Sequence, residues 1–137
     1  MEARQIREII DRHENVKDKV RGLFATNRLP NTLMTGAYVL HSSLEGGHWL
    51  CIYVTDENVE FYDSLARFPE EYGLQFPLPV VMNSQQLQSD HSDVCGQMCL
   101  FILFFRTLNV NMECILNFFD DNTEENDLKV AQFVHML

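Results

Sequence analysis

Eight consecutive residues, Met98 to Phe105, read MCLFILFF and carry no charge. Wound into a helix they offer no polar face at any spacing, so the rest of the chain must enclose them. They are far too few to span a bilayer, and Arg106 ends the run. The segment just before them has the opposite character. Gln88, Ser89, Asp90, His91, Ser92 and Asp93 form a polar, turn-prone stretch that meets the apolar run at Val94, Cys95 and Gly96. This pattern predicts a loop feeding the first turn of a buried helix, about Cys95 to Leu108, with a cysteine at the junction. Unpaired N–H groups and the positive end of the helix dipole favour an anion there, so the thiol of Cys95 ionises more readily than one in mid-helix. Cys95 is thereby placed as a nucleophile. The alternative is that it is a small buried hydrophobe, as free cysteines commonly are.

Taken in order, the chain opens with an amphipathic helix whose apolar face is Ile6, Ile9, Ile10 and His13. Val16, Val20, Leu23 and Phe24 continue a similar spacing, which carries the helical expectation up to Asn27–Pro30. From Ala37 the period becomes two. AYVLH, HWLCIYVT and VEFYD read as three strands of an antiparallel meander, joined by the turns SSLEGG and DEN. Ser64 to Pro79 reads as loop with a helical turn near Pro69 to Tyr72, and PVVMN (Pro79 to Asn83) as a fourth strand. After the buried helix come helices over Asn111–Phe119 and about Thr123–Leu137. The last has Asn122 and Glu125 as a capping box and Leu128, Ala131, Val134 and Leu137 as its apolar face. Strands in the middle and helices at both ends make the expected class α+β. The 137 residues suit one domain, 1–137.

Net charge is −10, and it is uneven: seven Lys/Arg face five Asp/Glu up to Arg28, against three and fifteen beyond it. Such a chain lacks the clustered cations that phosphate backbones require, so DNA is not an expected partner. The basic N-terminal segment reads as a solvated helix face or as a contact for an acidic partner. The start, MEARQIREII, has no signal-peptide core. The expectation is an intracellular protein, in a host nucleus or cytoplasm or packaged in a virion, not secreted and without membrane attachment. Its four cysteines, Cys51, Cys95, Cys99 and Cys114, are expected to stay reduced.

A cysteine nucleophile needs a base, a group to orient the base, and donors for the oxyanion. His48 opens the strand HWLCIYVT after Gly46 and Gly47. Asp63 closes the next strand, and the hairpin between them brings both to one edge of the sheet. Gln88, seven residues before Cys95, can reach across the loop with its amide. Asp56, Asp90 and Asp93 are rival carboxylates, and Gln88 also reads as one polar loop residue among Gln85, Gln86 and Ser89.

GGHWLCIYV, then VEFYDSLA, then LQSDHSDVCGQMCLF together resemble the adenain family of cysteine endopeptidases, the adenovirus maturation protease and its relatives. LFATNRLPNTL and NFFDDNTEENDLKVAQFV most resemble the proteases of Maverick/Polinton elements and adintovirus-like viruses. The resemblance implies Cys95 as nucleophile, His48 as general base and later acid, Asp63 as orienter and Gln88 as oxyanion donor. It implies Trp49 and Gly96 beside the substrate, a papain-like centre with His before Cys, and no cofactor or metal. The implied reaction is cleavage after glycine in extended glycine-containing sequences, on capsid precursors, by a monomer. In the adenovirus enzyme an activating peptide is attached through a cysteine in the strand before the oxyanion loop. Pro79 to Asn83 contain none, so an activating peptide would have to act without that disulfide.

Two other readings use the same residues. SUMO-deconjugating enzymes share His-Trp, the strand-ending Asp and the Gln before Cys-Gly, but typically carry Asp where this chain has Val94. A non-catalytic zinc-stabilised module would draw on His48 with Cys51, and on His91, Cys95 and Cys99. Against it, His48 and Cys51 are three apart on a strand and so point to opposite faces.

Overall fold

A computed structural model describes residues 1–137. The fold is α+β: a five-stranded sheet with helices before and after it in the chain. Two short helices come first, α1 (Ala3–Asp11) and α2 (Glu14–Lys17). The strands follow as β1 (Val20–Ala25), β2 (Gly36–Ser42), β3 (His48–Val54), β4 (Val59–Tyr62) and β5 (Val80–Met82), in spatial order β1-β2-β3-β4-β5. The chain ends in α3 (Cys95–Thr107), α4 (Met112–Leu116) and α5 (Thr123–His135).

The three inner strands form the antiparallel meander, while β1 and β5 add at its edges in parallel. The first of these edges corrects the helical expectation for Val20 to Phe24. These residues pair with Ala37 to Leu40 of β2, and the backbone hydrogen bonds of the open edge outweigh a weak helical period. A bulge shifts the register between Val20 and Gly22, where φ is +154°, and a Cβ on Gly22 would come within 2.8 Å of the Phe24 ring.

Alternation along β3 divides two cores. Trp49 and Cys51 join Ile6, Ile10, Val39 and the apolar side of α3, whereas Leu50, Ile52 and Val54 join Val59, Phe61, Tyr72 and Leu74 on the opposite face. Helix α3 lies against β3 and is ringed by α1, α2, α4 and α5, which is how its all-round apolar surface is covered. Met98, Leu100, Ile102 and Leu103 are almost wholly buried, each contributing roughly 1.5–3 kcal/mol. The Lys19 ammonium donates to the Thr107 carbonyl at 2.7 Å, closing one of the free acceptors at the end of this helix.

Val134 and Leu137 of the expected face of α5 pack on the core, but the helix is turned away at Leu128. Leu128 is 64% exposed, whereas Asn126 and Val130 are buried. Phe133 decides the rotation by packing on Phe101, Phe104 and Phe105 with ring centroids 5.1–5.8 Å apart. At its start half of the expected capping box is present: the Glu125 N–H donates to the Asn122 side chain at 3.1 Å, while the Asn122 N–H donates to Asp120 instead of Glu125. No helix is long and apolar enough to cross a membrane.

Candidate active site

His48 is the first residue of β3, and Asp63 follows the last residue of β4, so the antiparallel pairing of the two strands sets both at one end of the sheet. Their parity puts them on the face of Leu50 and Phe61. His48 Nε2 lies 2.6 Å from Asp63 Oδ1, with both side chains buried. A carboxylate only accepts, so Nε2 carries the proton and Nδ1 is left to receive another. Of the rival carboxylates, Asp56 sits in the β3–β4 turn and Asp90 and Asp93 are exposed; Asp63 is the one bonded to His48.

The Asp63 carboxylate is held from several sides. It accepts from Tyr72 Oη at 2.6 Å, and from the N–H groups of Leu65 at 3.1 Å and Arg67 at 3.2 Å. Its backbone N–H and C=O are both paired with the Asn83 side chain. Burial alone would raise the Asp63 pKa, but the His48 and Tyr72 hydrogen bonds and the charge of His48 overcome it and hold the carboxyl below its ordinary value.

Cys95 opens α3 from across the end of the sheet. The Trp49 N–H donates to its sulfur at 3.3 Å. Burial opposes thiolate formation, but the His48 hydrogen bond, the Trp49 N–H, the charge of His48 and the Gly96 N–H outweigh it and lower the pKa. For His48, burial favours the neutral ring. Hydrogen bonds to Asp63 and Cys95 and the charges of both prevail, raising its pKa to about 9. The pair is therefore suited to exist as thiolate and imidazolium, a nucleophile beside a stored proton.

Gln88 is buried in the middle of the loop 84–93, with its backbone N–H and that of Leu87 both donating to the Ser64 carbonyl. The Ser92 carbonyl, 2.9 Å from its side chain, can only accept, so the atom there is Nε2. Ser64 Oγ donates to Oε1 on the other side. One amide hydrogen stays without a protein partner, on a side chain that lines the same cleft as Cys95.

That cleft has a volume of about 580 Å³, and His48, Trp49, Gln88 and Cys95 all contribute to its wall. Gly96 is not among the residues of that wall. It is buried, and a Cβ there would come within 2.9 Å of Met1 Cβ and 3.5 Å of Ile6, so glycine is needed for close packing of the N-terminal segment. Cys51 and Cys99 are buried in the helix-side core, on the opposite face from His48. No group of three His, Cys, Asp or Glu side chains is placed to hold a metal ion.

Several contributors had not been expected from the sequence. In the sequence Tyr72 reads only as part of a helical turn, Ser64 as a loop residue and Asn83 as the end of a strand. His41, whose ring centroid is 4.5 Å from that of Trp49, lines the cleft from β2. Burial, and then the charge of His48, lower its pKa. Arg67 and Glu45, which both line the cleft, form an ion pair at 2.7 Å. The only advance signal for these was a polar residue next to a strand end or glycine turn.

No family profile matches the chain, and no curated protein matches it in sequence. Solved structures do. The SUMO protease Ulp1, solved with its catalytic cysteine oxidised to a sulfinic acid, aligns with a TM-score of 0.50 and 9% identity over 98% of this chain and 76% of that one. The chain has the fold of the Ulp1-like cysteine proteases. The ASFV pS273R protease aligns with a TM-score of 0.46 and 17% identity over 68% of this chain, which spans 40% of that protein's length.

Proposed function

We propose that the protein is a cysteine endopeptidase of the adenain type. Cys95 attacks the scissile carbonyl as a thiolate, and His48 returns the proton to the leaving amine. Asp63 holds the imidazole by its Nε2–H and balances its charge. The Gln88 amide and the Cys95 backbone N–H donate to the oxyanion, and water then hydrolyses the thioester with His48 as base. The observation that carries this reading is the His48 imidazole, bonded to Asp63 and lining one open cleft together with Cys95, whose sulfur accepts the Trp49 N–H.

The substrate is an extended polypeptide cut after glycine, and the sequence resemblance to maturation proteases supports capsid precursors as its source. Trp49 stands beside the nucleophile in this reading: its N–H is bonded to the Cys95 sulfur and the residue lines the cleft. Neither DNA nor a disulfide-tethered peptide is required in this proposal, and the enzyme works as a monomer within a cell or particle.

The test is a panel of fluorogenic glycine-containing peptides run beside ubiquitin-like conjugates, each with the parent chain and with Cys95→Ala. Cleavage after glycine by the parent alone is the expected result. Untouched peptides with processed conjugates would replace the endopeptidase by an isopeptidase.

A further inference from the structure

The loop 84–93 carries Gln88 yet has no helix or strand of its own between β5 and α3. On the sheet side it is held by Ser64 and Asn83. On the other side it is held by the start of α5. Asn126, wholly buried, donates from Nδ2 to the Leu87 carbonyl at 3.1 Å and is itself fixed by the backbone of Asp120. Asp127 accepts from Ser89 Oγ at 2.6 Å and from the Ser89 N–H at 3.3 Å. Two consecutive residues of one helix thus grip the residues on either side of Gln88.

The second grip reaches the Gln88 side chain itself. The Ser89 carbonyl accepts from the N–H and Oγ of Ser92, closing a turn. The carbonyl of that same Ser92 accepts from Gln88 Nε2 and so sets which way the amide points. A chain of hydrogen bonds therefore runs from Asp127 through Ser89 and the 89–92 turn to the amide that faces the cleft. None of these bonds touches Cys95, His48 or Asp63.

We infer that Asp127 is a positioning residue for the oxyanion donor, with Ser89 as its link, so that the C-terminal helix aims Gln88 while leaving the nucleophile unaffected. The inference rests on the proposed endopeptidase reading. Its physical basis is that an oxyanion hole works only when its donors are held in place before charge develops. Removing one such donor costs roughly 10²–10³-fold in kcat, and misdirecting it should cost about tenfold or more.

The test measures two reactions on Asp127→Ala, Asp127→Asn and Ser89→Ala: turnover of a fluorogenic glycine-containing peptide, and alkylation of Cys95 by iodoacetamide across pH. Alkylation forms no oxyanion, so it reports the thiolate alone. The expected result is a fall of about tenfold in kcat with KM and the alkylation profile unchanged. Asp127→Asn should be partly rescued, because its Oδ1 can still accept from Ser89. Asp127→Ala and Ser89→Ala should cost no more together than singly. Equal turnover by parent and Asp127→Ala would overturn the inference alone, as would parallel losses of turnover and alkylation. No turnover by the parent chain would overturn the endopeptidase reading and the inference with it.

Discussion

The same three elements build a polar cluster at each of their two ends, and the two clusters behave differently. At one end β3 supplies His48, the residue after β4 supplies Asp63 and α3 supplies Cys95. At the other, β3 supplies Tyr53, β4 supplies Glu60 and α3 supplies Arg106, and Tyr62, two residues further along β4, reaches back to Glu60. Arg106 pairs with Glu60 through two bonds of 2.8 and 3.0 Å, Tyr62 Oη donates to Glu60 at 2.6 Å, and the guanidinium lies 4.2 Å from the centre of the Tyr53 ring. Both Glu60 oxygens are used, and the ion pair is closed off, with side chains 14% and 10% exposed. Arginine keeps its proton at any ordinary pH, and the Glu60 hydrogen bond, against burial, raises its pKa further. That cluster can tie α3 to the sheet but cannot pass a proton. The His48 cluster contains an imidazole and a thiol, two groups that can pass a proton between them, and it opens on a cleft. Chemistry here needs an ion pair that can be unmade.

The comparison is broken or sharpened by perturbing one end and watching the other. The largest effect belongs to Cys95→Ala, expected to lower peptide turnover by roughly 10⁴-fold or more with an unchanged circular dichroism spectrum. Residual activity would place the nucleophile elsewhere. His48→Ala should follow closely, while Asp63→Asn should cost less, because the orienter does only part of the base's work. A loss with Asp63→Asn equal to that with His48→Ala would mean that the carboxylate does more than orient.

At the closed end, Arg106→Met leaves Glu60 buried without its partner and should destabilise the fold by about 3–5 kcal/mol, read from the urea midpoint. Adding Glu60→Gln should recover most of that loss. Below the midpoint Cys95 should alkylate as in the parent. A changed profile would show that the two ends are coupled along α3.

The smallest effect is in pH dependence. Alkylation of Cys95 should persist below pH 8, and His48→Ala should slow it at pH 6 by roughly tenfold for each pKa unit lost. The raised His48 pKa stabilises the fold fully below about pH 6.5, a contribution lost as pH rises through about 9. The lowered Asp63 pKa acts oppositely: its contribution is present above about 3.8 and lost as pH falls through the depressed value. Thermal melts across pH should therefore show a mid-range maximum that flattens in Asp63→Asn.

The sequence alone located the start of α3 at Cys95, the meander from Ala37 to Asp63, and the placing of His48 and Asp63 at one sheet edge. These follow from local rules, since period and turn residues act over a few positions and a hairpin aligns its own strand ends. It also nominated Gln88, but could not separate an oxyanion donor from an ordinary polar loop residue, because a loop has no period from which to read direction. Packing alone decided the rest. Residues 20–25 became a strand because the edge of β2 was open, and Leu128 turned outward because Phe133 met the rings of α3. Asn126 and Asp127 reached the Gln88 loop from about 38 positions away. Contacts at such separation arise when the core closes, and no short-range pattern in the chain encodes them.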